Sequence, residues 1–230
     1  MLVGIIGAMD IEVQVLKNLM DGAKIEKISG IEFYSGKING AETVVAVAGV
    51  GKVNAAVCAQ TMILKYSPDY LINVGVAGGL SDELNIGDMA VATAVVEHDM
   101  DTSPIGDPKG YITGINMVEM KTHPHVTDMI YNAVIKNGVK ARRGIIASGD
   151  QFIASAAQRE AIINNFGAIA AEMEGASIGH VCTMNGVPFA VLRAISDSAN
   201  SDAHMDFPTF AKMAAKNSVK IILEFLKEVM

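Results

Sequence analysis

Short apolar runs alternate with stretches of helical periodicity along most of the chain. The runs are rich in Val and Ile and cover residues 2–6, 43–48, 70–74, 89–96, 144–147, 169–171 and 189–194. Between them the spacing of apolar residues predicts helices near residues 11–20, 52–65, 124–137, 155–165, 174–185 and 208–228. This alternation favours an α/β fold with three α/β/α layers around a central, mixed, mostly parallel and twisted sheet.

Three segments depart from this pattern. Residues 31–38 alternate in polarity and lead through Asn39-Gly40 into the next run, which predicts a hairpin and makes the sheet mixed near its start. Pro and Gly residues interrupt residues 97–122, which predicts a long irregular connection of the kind that is usually functional or packs on a partner. A second irregular segment is expected at residues 196–207.

The composition narrows the class of protein. Half of the 230 residues are hydrophobic, but no apolar stretch reaches the roughly 18 residues of a membrane span, so we expect buried strands and one domain over residues 1–230. A net charge of -7 without a Lys/Arg cluster argues against a nucleic-acid partner. The first residues carry no basic segment, so we expect no secretory signal and a cytoplasmic location.

Neither the cysteines nor the histidines match a metal-site pattern. Cys58 and Cys182 lie in helical patterns beside Ala and Val, which favours small buried hydrophobes. The polar segments at residues 98–101 and 123–125 contain His and Asp, but their spacings match no zinc signature. We therefore predict no metal and no organic cofactor.

Acidic residues follow several of the predicted strands. Glu12 comes after the first run, Glu172 and Glu174 after the sixth, and Asp197 after the seventh, which also contains Arg193. Ligands of open α/β sheets collect at the carboxyl ends of strands, so we expect these acids to share a pocket. Cleavage of a glycosidic bond needs such a pair, one group to protonate the leaving base and one to activate water. An exposed acidic pair favoured by a helix dipole is the alternative for Glu172 and Glu174.

Two further turns have two interpretations each, and a third has one. Residues 49–52, Gly-Val-Gly-Lys, open a helix and suit either an anion or close packing, but they match neither a P-loop nor a dinucleotide motif. Residues 73–79 end a strand almost without side chains, which suits either a ligand against the backbone or a tight turn. In residues 148–153 another polar strand end carries Phe152, an aromatic that can cover a flat ring.

Taken in order, these motifs resemble the 5′-methylthioadenosine/S-adenosylhomocysteine nucleosidases of the nucleoside phosphorylase superfamily. The resemblance spans essentially the whole chain and rests on residues 4–9 with Glu12 and on residues 49–53, 77–79, 98–101, 148–150, 172–176 and 193–197. It implies a nucleoside phosphorylase-like fold and hydrolysis of 5′-methylthioadenosine, S-adenosylhomocysteine and 5′-deoxyadenosine, with release of adenine. It also implies a homodimer in which the 97–122 region reaches the neighbouring subunit's pocket.

The resemblance also implies roles for individual residues. Glu12 would position or deprotonate the attacking water with support from Arg193, and Glu174 would bind the ribose 2′-hydroxyl and steady positive charge on the sugar. Asp197 would deliver a proton to N7 of adenine, and Phe152 would stack on the base. The substrate-binding residues that it implies are Met9, Val50, Val76, Ala77, Gly78, Phe152, Ile153, Glu172, Met173, Ser196 and Phe207.

Two departures from the family pattern bear on specificity. Val76 stands where many members have a hydroxyl residue, and the 102–108 loop lacks the aromatic residues common in the family. The preference for the 5′-substituent therefore stays open. Three alternatives share the fold: a purine nucleoside phosphorylase, an aminofutalosine nucleosidase and a noncatalytic nucleoside-binding protein. Glu12 argues against the first, because a carboxylate beside the nucleophile would repel a phosphate dianion.

Overall fold

The computed structural model of the chain describes residues 1–199 and 203–229. Its strands are β1 (Leu2–Gly7), β2 (Asp21–Ile28), β3 (Ile31–Ile38), β4 (Ala41–Val47), β5 (Tyr70–Gly79), β6 (Met89–Glu97), β7 (Met120–Lys121), β8 (Ala141–Ser148), β9 (Ala170–Glu172) and β10 (Phe189–Asp197). Its α-helices are α1 (Asp10–Asn18), α2 (Lys52–Tyr66), α3 (Pro124–Lys136), α4 (Ala156–Phe166), α5 (Gly175–Asn185) and α6 (Ala203–Glu228).

All of these strands belong to one mixed sheet that partly closes on itself. The strands β2, β3, β4, β1 and β5 lie side by side, with parallel pairing of β1 to both β4 and β5. Beyond β5 the strands form a ring, because β10 and β9 both pair with β5 while β6 and β8 connect them. This closure brings the ends of β5, β9 and β10 to one place, although β5 and β10 are far apart in sequence.

Helices cover both faces of the sheet. One apolar cluster contains residues of α1, α3 and α6 with one face of the strands, including Leu16, Ile130 and Phe225. A second cluster contains residues of α2 and α5 with the other face, including Cys58 and Cys182. Both cysteines are free and buried. The predicted three-layer α/β/α class with a mixed central sheet is thereby confirmed.

The hairpin predicted at Asn39-Gly40 is also present. The two strands β3 and β4 pair antiparallel with Ile38 opposite Ala41. Asn39 and Gly40 adopt φ values of 51° and 89°, the left-handed conformations that a tight two-residue turn requires.

The predicted irregular segment at residues 196–207 is wrong in its last part. The helix α6 begins at Ala203, five residues before Pro208. A proline removes one backbone N–H donor, but it does not prevent a helix from starting a turn earlier, so the apolar pattern placed the start too late. Residues 200–202 of that segment lie outside the described residues.

The strand β2 was not predicted from the sequence. Its residues are almost all exposed, so the strand carries no alternation of apolar and polar positions. Among the helices that the structure describes, none is both long and apolar enough to cross a membrane.

Candidate active site

A cavity of about 360 Å³ lies where the carboxyl ends of β1, β5, β9 and β10 meet. Fourteen of the residues predicted from the sequence line it: Met9, Glu12, Val50, Val76, Ala77, Gly78, Phe152, Ile153, Glu172, Met173, Glu174, Ser196, Asp197 and Phe207. The expected convergence of separated acids is therefore present, and most of the surrounding wall is apolar.

Four residues relate to the cavity differently from the prediction. Ala8, Gln151 and Ala171 line it but were not among the predicted site residues, although each is adjacent in sequence to one of them. Arg193, which was placed with the catalytic residues, is 1% exposed and does not line the cavity. It lies behind the wall, where its Nε and Nη2 donate to Glu172 and its Nη1 lies beside Gly75, as does Glu12 Oε1.

The carboxylate of Glu12 is held by backbone N–H groups from two strand ends. Its Oε2 accepts from Ala8 at 2.8 Å and from Met9 at 2.9 Å, and its Oε1 accepts from Val76 at 3.1 Å. Burial raises the pKa of Glu12 above its ordinary value, although Arg193 and these N–H groups act in the opposite direction. The result is a fixed carboxylate that is a stronger base than an exposed one.

Glu172 and Arg193 form a buried ion pair at the base of the cavity. Arg193 donates to Glu172 through Nε at 3.0 Å and also through Nη2, which donates to Asn73 as well. Glu172 also accepts from the Ser148 hydroxyl and from the N–H groups of Glu174 and Gly175. Its oxygens are thus occupied by protein donors.

The environments of Glu172 and Glu174 push their pKa values apart. Burial acts to raise the pKa of Glu172, but the charge of Arg193 and the hydrogen bonds outweigh it, so the pKa lies below the ordinary value. Burial and then the negative charge of Glu172 raise the pKa of Glu174 to about 7. Two acids that looked equivalent in sequence are therefore one with a lowered pKa, which is an anion at neutral pH, and one that titrates near neutral pH.

Glu174 faces the cavity from the start of α5. It is the residue that precedes the first turn of this helix, and its Oε1 accepts from the Gly51 N–H at 2.9 Å. Arg193 Nη2 lies 3.8 Å from Glu174 Oε2. The carboxylate is thus positioned by the turn before α2 on one side and by the buried ion pair on the other.

Asp197 lies at the end of β10, where the register of the pairing with β5 changes. The register shifts between Ile195 and Asp197, so Asp197 lies opposite Gly78. Its Oδ2 accepts from the Ser196 hydroxyl at 2.9 Å and its Oδ1 accepts from the Ala199 N–H at 2.9 Å. A Cβ at Gly78 would lie 2.8 Å from Asp197 Oδ1, so glycine leaves room for this acid.

Two aromatic rings close the other side of the cavity. Phe152 and Phe207 meet edge to face, with ring centroids 5.8 Å apart and an interplanar angle of 85°. Phe152 is 46% exposed, although a phenylalanine side chain is usually buried. A flat apolar group is the ligand that such a ring accommodates.

Gly75 allows Glu12 and Arg193 to approach the same point of β5. A Cβ added there would lie 2.6 Å from Glu12 Oε1 and 2.7 Å from Arg193 Nη1. We expect Gly75→Ala to lower the free energy of unfolding by roughly 1–3 kcal/mol, because both buried groups must move. Urea denaturation measures this, with Gly114→Ala as control, since an added Cβ there meets nothing within 4 Å. Equal stability of the two variants would contradict the tight approach.

The described residues 1–199 and 203–229 contain no group of three or more His, Cys, Asp and Glu side chains placed to hold a metal ion. In the polar segment at residues 98–101, Asp99 is bound by the amine of Lys52 at 2.7 Å.

Comparison with known proteins identifies relatives along the full chain. A family model for the phosphorylase superfamily matches residues 2–227. A 5′-methylthioadenosine/S-adenosylhomocysteine nucleosidase of Staphylococcus carnosus is 39% identical over 227 residues, which are 98% of this chain and 99% of the relative.

Solved structures give the same picture. A 5′-methylthioadenosine/S-adenosylhomocysteine nucleosidase of Neisseria meningitidis, in complex with methylthio-immucillin-A, superposes with a TM-score of 0.95 at 34% identity over 99% of both chains. A futalosine hydrolase of Helicobacter pylori superposes with a TM-score of 0.94 at 34% identity, over 99% of this chain and 97% of its own. The chain belongs to the phosphorylase superfamily and, within it, to the family of 5′-methylthioadenosine/S-adenosylhomocysteine nucleosidases.

Proposed function

We propose that this protein hydrolyses the N-glycosidic bond of 5′-methylthioadenosine and S-adenosylhomocysteine, and of 5′-deoxyadenosine, and releases adenine. The observation that carries the proposal is the meeting of Glu12, Glu174 and Asp197 in one cavity, each with different hydrogen-bond partners. Family membership supports the same reaction, since relatives at about 40% identity are named for these two substrates.

The reaction assigns one task to each acid. Asp197 donates a proton to N7 of adenine as the bond between C1′ and N9 breaks. The electron pair of that bond stays on N9, so the base leaves as a neutral molecule. Glu174 binds the ribose 2′-hydroxyl, and its negative charge stabilises the oxocarbenium-like sugar. Water adds to C1′ and loses a proton to Glu12, which leaves 5-methylthioribose and free adenine.

Arg193 supports the water side of this reaction. Its Nη1 is buried and has no protein hydrogen-bond partner within the described residues, and Gly75 brings it close to Glu12 Oε1. A buried guanidinium N–H without a partner is costly, so a water bound beside Glu12 would satisfy it. The same water would be oriented by Arg193 and deprotonated by Glu12.

The remaining lining residues accommodate the rest of the nucleoside. Phe152 stacks on adenine, and the backbone near Ile153 reads its hydrogen-bonding edge. Met173 packs against the ribose, while Met9 and Phe207 lie along the sugar and the 5′-thio group. Ser196, Ala77 and Gly78 form the wall beside Asp197, and Val50 and Val76 complete the apolar lining.

Adenine release with and without phosphate tests the proposal. The purified protein is incubated with 5′-methylthioadenosine in phosphate-free buffer, free adenine is followed, and phosphate is then added. Full-rate release without phosphate, together with free 5-methylthioribose, is the expected result. A strict requirement for phosphate would make the protein a phosphorylase and overturn the role of Glu12. Binding without any release would indicate a noncatalytic protein.

An aminofutalosine nucleosidase is the second candidate. The similarity to the futalosine hydrolase of Helicobacter pylori favours it, because the two chains superpose over nearly their full lengths. Acids that act on the base and the ribose would serve both substrates equally. The ratio of kcat/KM for the futalosine-type substrate to that for 5′-methylthioadenosine decides between them.

The pKa of Glu174 predicts how activity depends on pH. Because this pKa is raised to about 7, the group is protonated and neutral below that pH and cannot stabilise a cationic sugar. We therefore expect kcat/KM for adenine release to fall about tenfold for each unit below pH 7, since kcat/KM reports groups of the free enzyme. Glu174→Gln should be far less active and lose this limb. A flat profile in the unaltered protein from pH 5 to 8 would contradict the assignment.

We also propose that the protein is a homodimer, with the 97–122 region contributing to the neighbouring pocket. Val53, Val57 and Leu64 lie on one face of α2 and are 41–73% exposed, and Ile105 of the 97–122 region is 82% exposed. Val50 of the cavity wall, three residues before Val53, is also exposed. Sedimentation velocity tests the dimer, and Val53→Lys should shift the protein toward monomer. The cytoplasmic location stays a prediction.

A further inference from the structure

Lys52 does not line the cavity, but two carboxylates hold its ammonium group in place near the cavity wall. Its Nζ donates to Glu97 at 3.0 Å and to Asp99 at 2.7 Å, where β6 ends. The lysine side chain is only 20% exposed, and the two carboxylates are 11% and 16% exposed. Charge-assisted hydrogen bonds between such partly buried groups fix the geometry more strongly than bonds on an open surface.

These bonds are part of a closed ring. Asp99 Oδ2 accepts from the Asp150 N–H at 2.9 Å, and Asp150 Oδ1 accepts from the backbone N–H of Lys52 at 2.8 Å. The ring therefore runs from the lysine side chain through Asp99 and Asp150 back to the lysine backbone. It ties the turn before α2 to the segment that follows β8.

This ring is joined to the cavity wall at two of its residues, Lys52 and Asp150. Gly51, the residue before Lys52, donates its N–H to Glu174 Oε1 at 2.9 Å. Asp150 immediately precedes the wall segment 151–153, which includes Phe152. The Ser177 hydroxyl of α5 donates to the Lys52 carbonyl at 2.7 Å, which joins the same turn to the helix that starts after Glu174.

We propose that Lys52 is a positioning residue for nucleoside hydrolysis, which orients the Glu174 carboxylate through Gly51 and the Phe152 segment through Asp150. The inference rests on the proposed function, and it adds a residue that does not touch the substrate. The helix-entry motif at residues 49–52 then uses its N–H groups to bind two carboxylates of the protein itself, those of Glu174 and Asp150. The motif thus makes the position of the Glu174 carboxylate depend on the hydrogen bonds of Lys52.

Replacement by methionine tests the proposal, because Lys52→Met keeps an unbranched side chain that is one atom shorter and removes the charge. We expect kcat/KM for adenine release to fall about 10- to 100-fold, mainly through kcat, since small displacements of catalytic groups have effects of this size. Lys52→Arg keeps a cation within reach of Glu97 and Asp99, so it should recover most of the activity.

The pH profile separates positioning from a merely structural role. The Gly51 N–H holds down the pKa of Glu174, so its loss should move the acidic limb of kcat/KM to higher pH. The other charged groups that face Glu174, which are Glu172, Arg193 and Glu12, are unchanged in the variant. A structural role alone would lower the melting temperature and leave the limb in place.

Lys65→Met is the matched control, because Lys65 lies in the last turn of α2 and pairs with Glu26 on the surface at 2.8 Å. It should keep the rate and the pH profile.

Wild-type kcat/KM and an unmoved limb in Lys52→Met would overturn the inference. Calorimetric binding of adenine adds a readout without hydrolysis, and it should be weaker in Lys52→Met only. If the wild-type protein binds adenine but forms none from 5′-methylthioadenosine, the proposed function is overturned. The comparison of adenine binding between wild type and Lys52→Met still decides the role of Lys52.

Discussion

Asp197→Asn is expected to lower the rate of adenine release by about 10²- to 10⁴-fold while 5′-methylthioadenosine still binds. The reason is chemical, because an amide cannot deliver a proton to N7 of the leaving base. The fold should tolerate the change. The new amide oxygen can accept from the Ala199 N–H, and the new NH₂ group can donate to the Ser196 hydroxyl, so these two hydrogen bonds each have a counterpart.

Single-turnover release of adenine and calorimetric substrate binding measure the two halves of this expectation. Asp128→Asn is the control, since Asp128 is an exposed acid of α3 that pairs with Arg143 on the surface. It should leave both quantities unchanged. An Asp197→Asn variant with wild-type release would remove Asp197 from the role of acid, and one that no longer binds would give it a binding role instead.

Glu12→Gln is expected to combine a large loss of rate with a measurable loss of stability. Loss of the base should lower adenine release by about 10²- to 10⁴-fold. Both carboxylate oxygens of Glu12 accept backbone N–H groups, from Ala8 and Met9 on one side and from Val76 on the other. A glutamine has one oxygen, so its NH₂ group must face a donor, which should cost about 1–3 kcal/mol of unfolding free energy.

Urea denaturation and single-turnover release, each normalised to the folded fraction, separate these two effects. The control is Glu42→Gln, because Glu42 is an exposed acid of β4 that pairs with Lys37 at 3.2 Å. Unaltered release by folded Glu12→Gln protein would show that water is activated elsewhere. Unaltered stability would show that the three N–H groups find other partners.

The sequence predicted most helices and strands because their signals are local. Apolar periodicity located α1 to α5 to within two residues at either end, and Asn39-Gly40 located the hairpin. It failed where the local signal was absent or misleading. The exposed strand β2 has no apolar face, and Pro208 lies inside α6 instead of at its start.

The candidate site was predicted as a set of residue types at strand ends, partly through resemblance to a family. That information named fourteen of the residues that line the cavity. It could not place Arg193, because a residue in the middle of a buried strand can face either the cavity or the layer behind it. Nor could it indicate the Lys52 ring, whose members are separated by up to 98 positions.

Residue order alone determined the alternation of strands and helices and the presence of an acid after each of several strands. The tertiary structure decided what those acids can do. The ring of strands brings Val76 to Glu12 and Arg193 to Glu172, contacts across 64 and 21 positions. Burial acts to raise the pKa of both acids, but the charge of Arg193 and the hydrogen bonds hold the pKa of Glu172 below its ordinary value. Burial and the charge of Glu172 raise the pKa of Glu174 to about 7, although only one residue separates the two acids. Desolvation and Coulomb interactions depend on distances in space, and these are set only when the sheet closes.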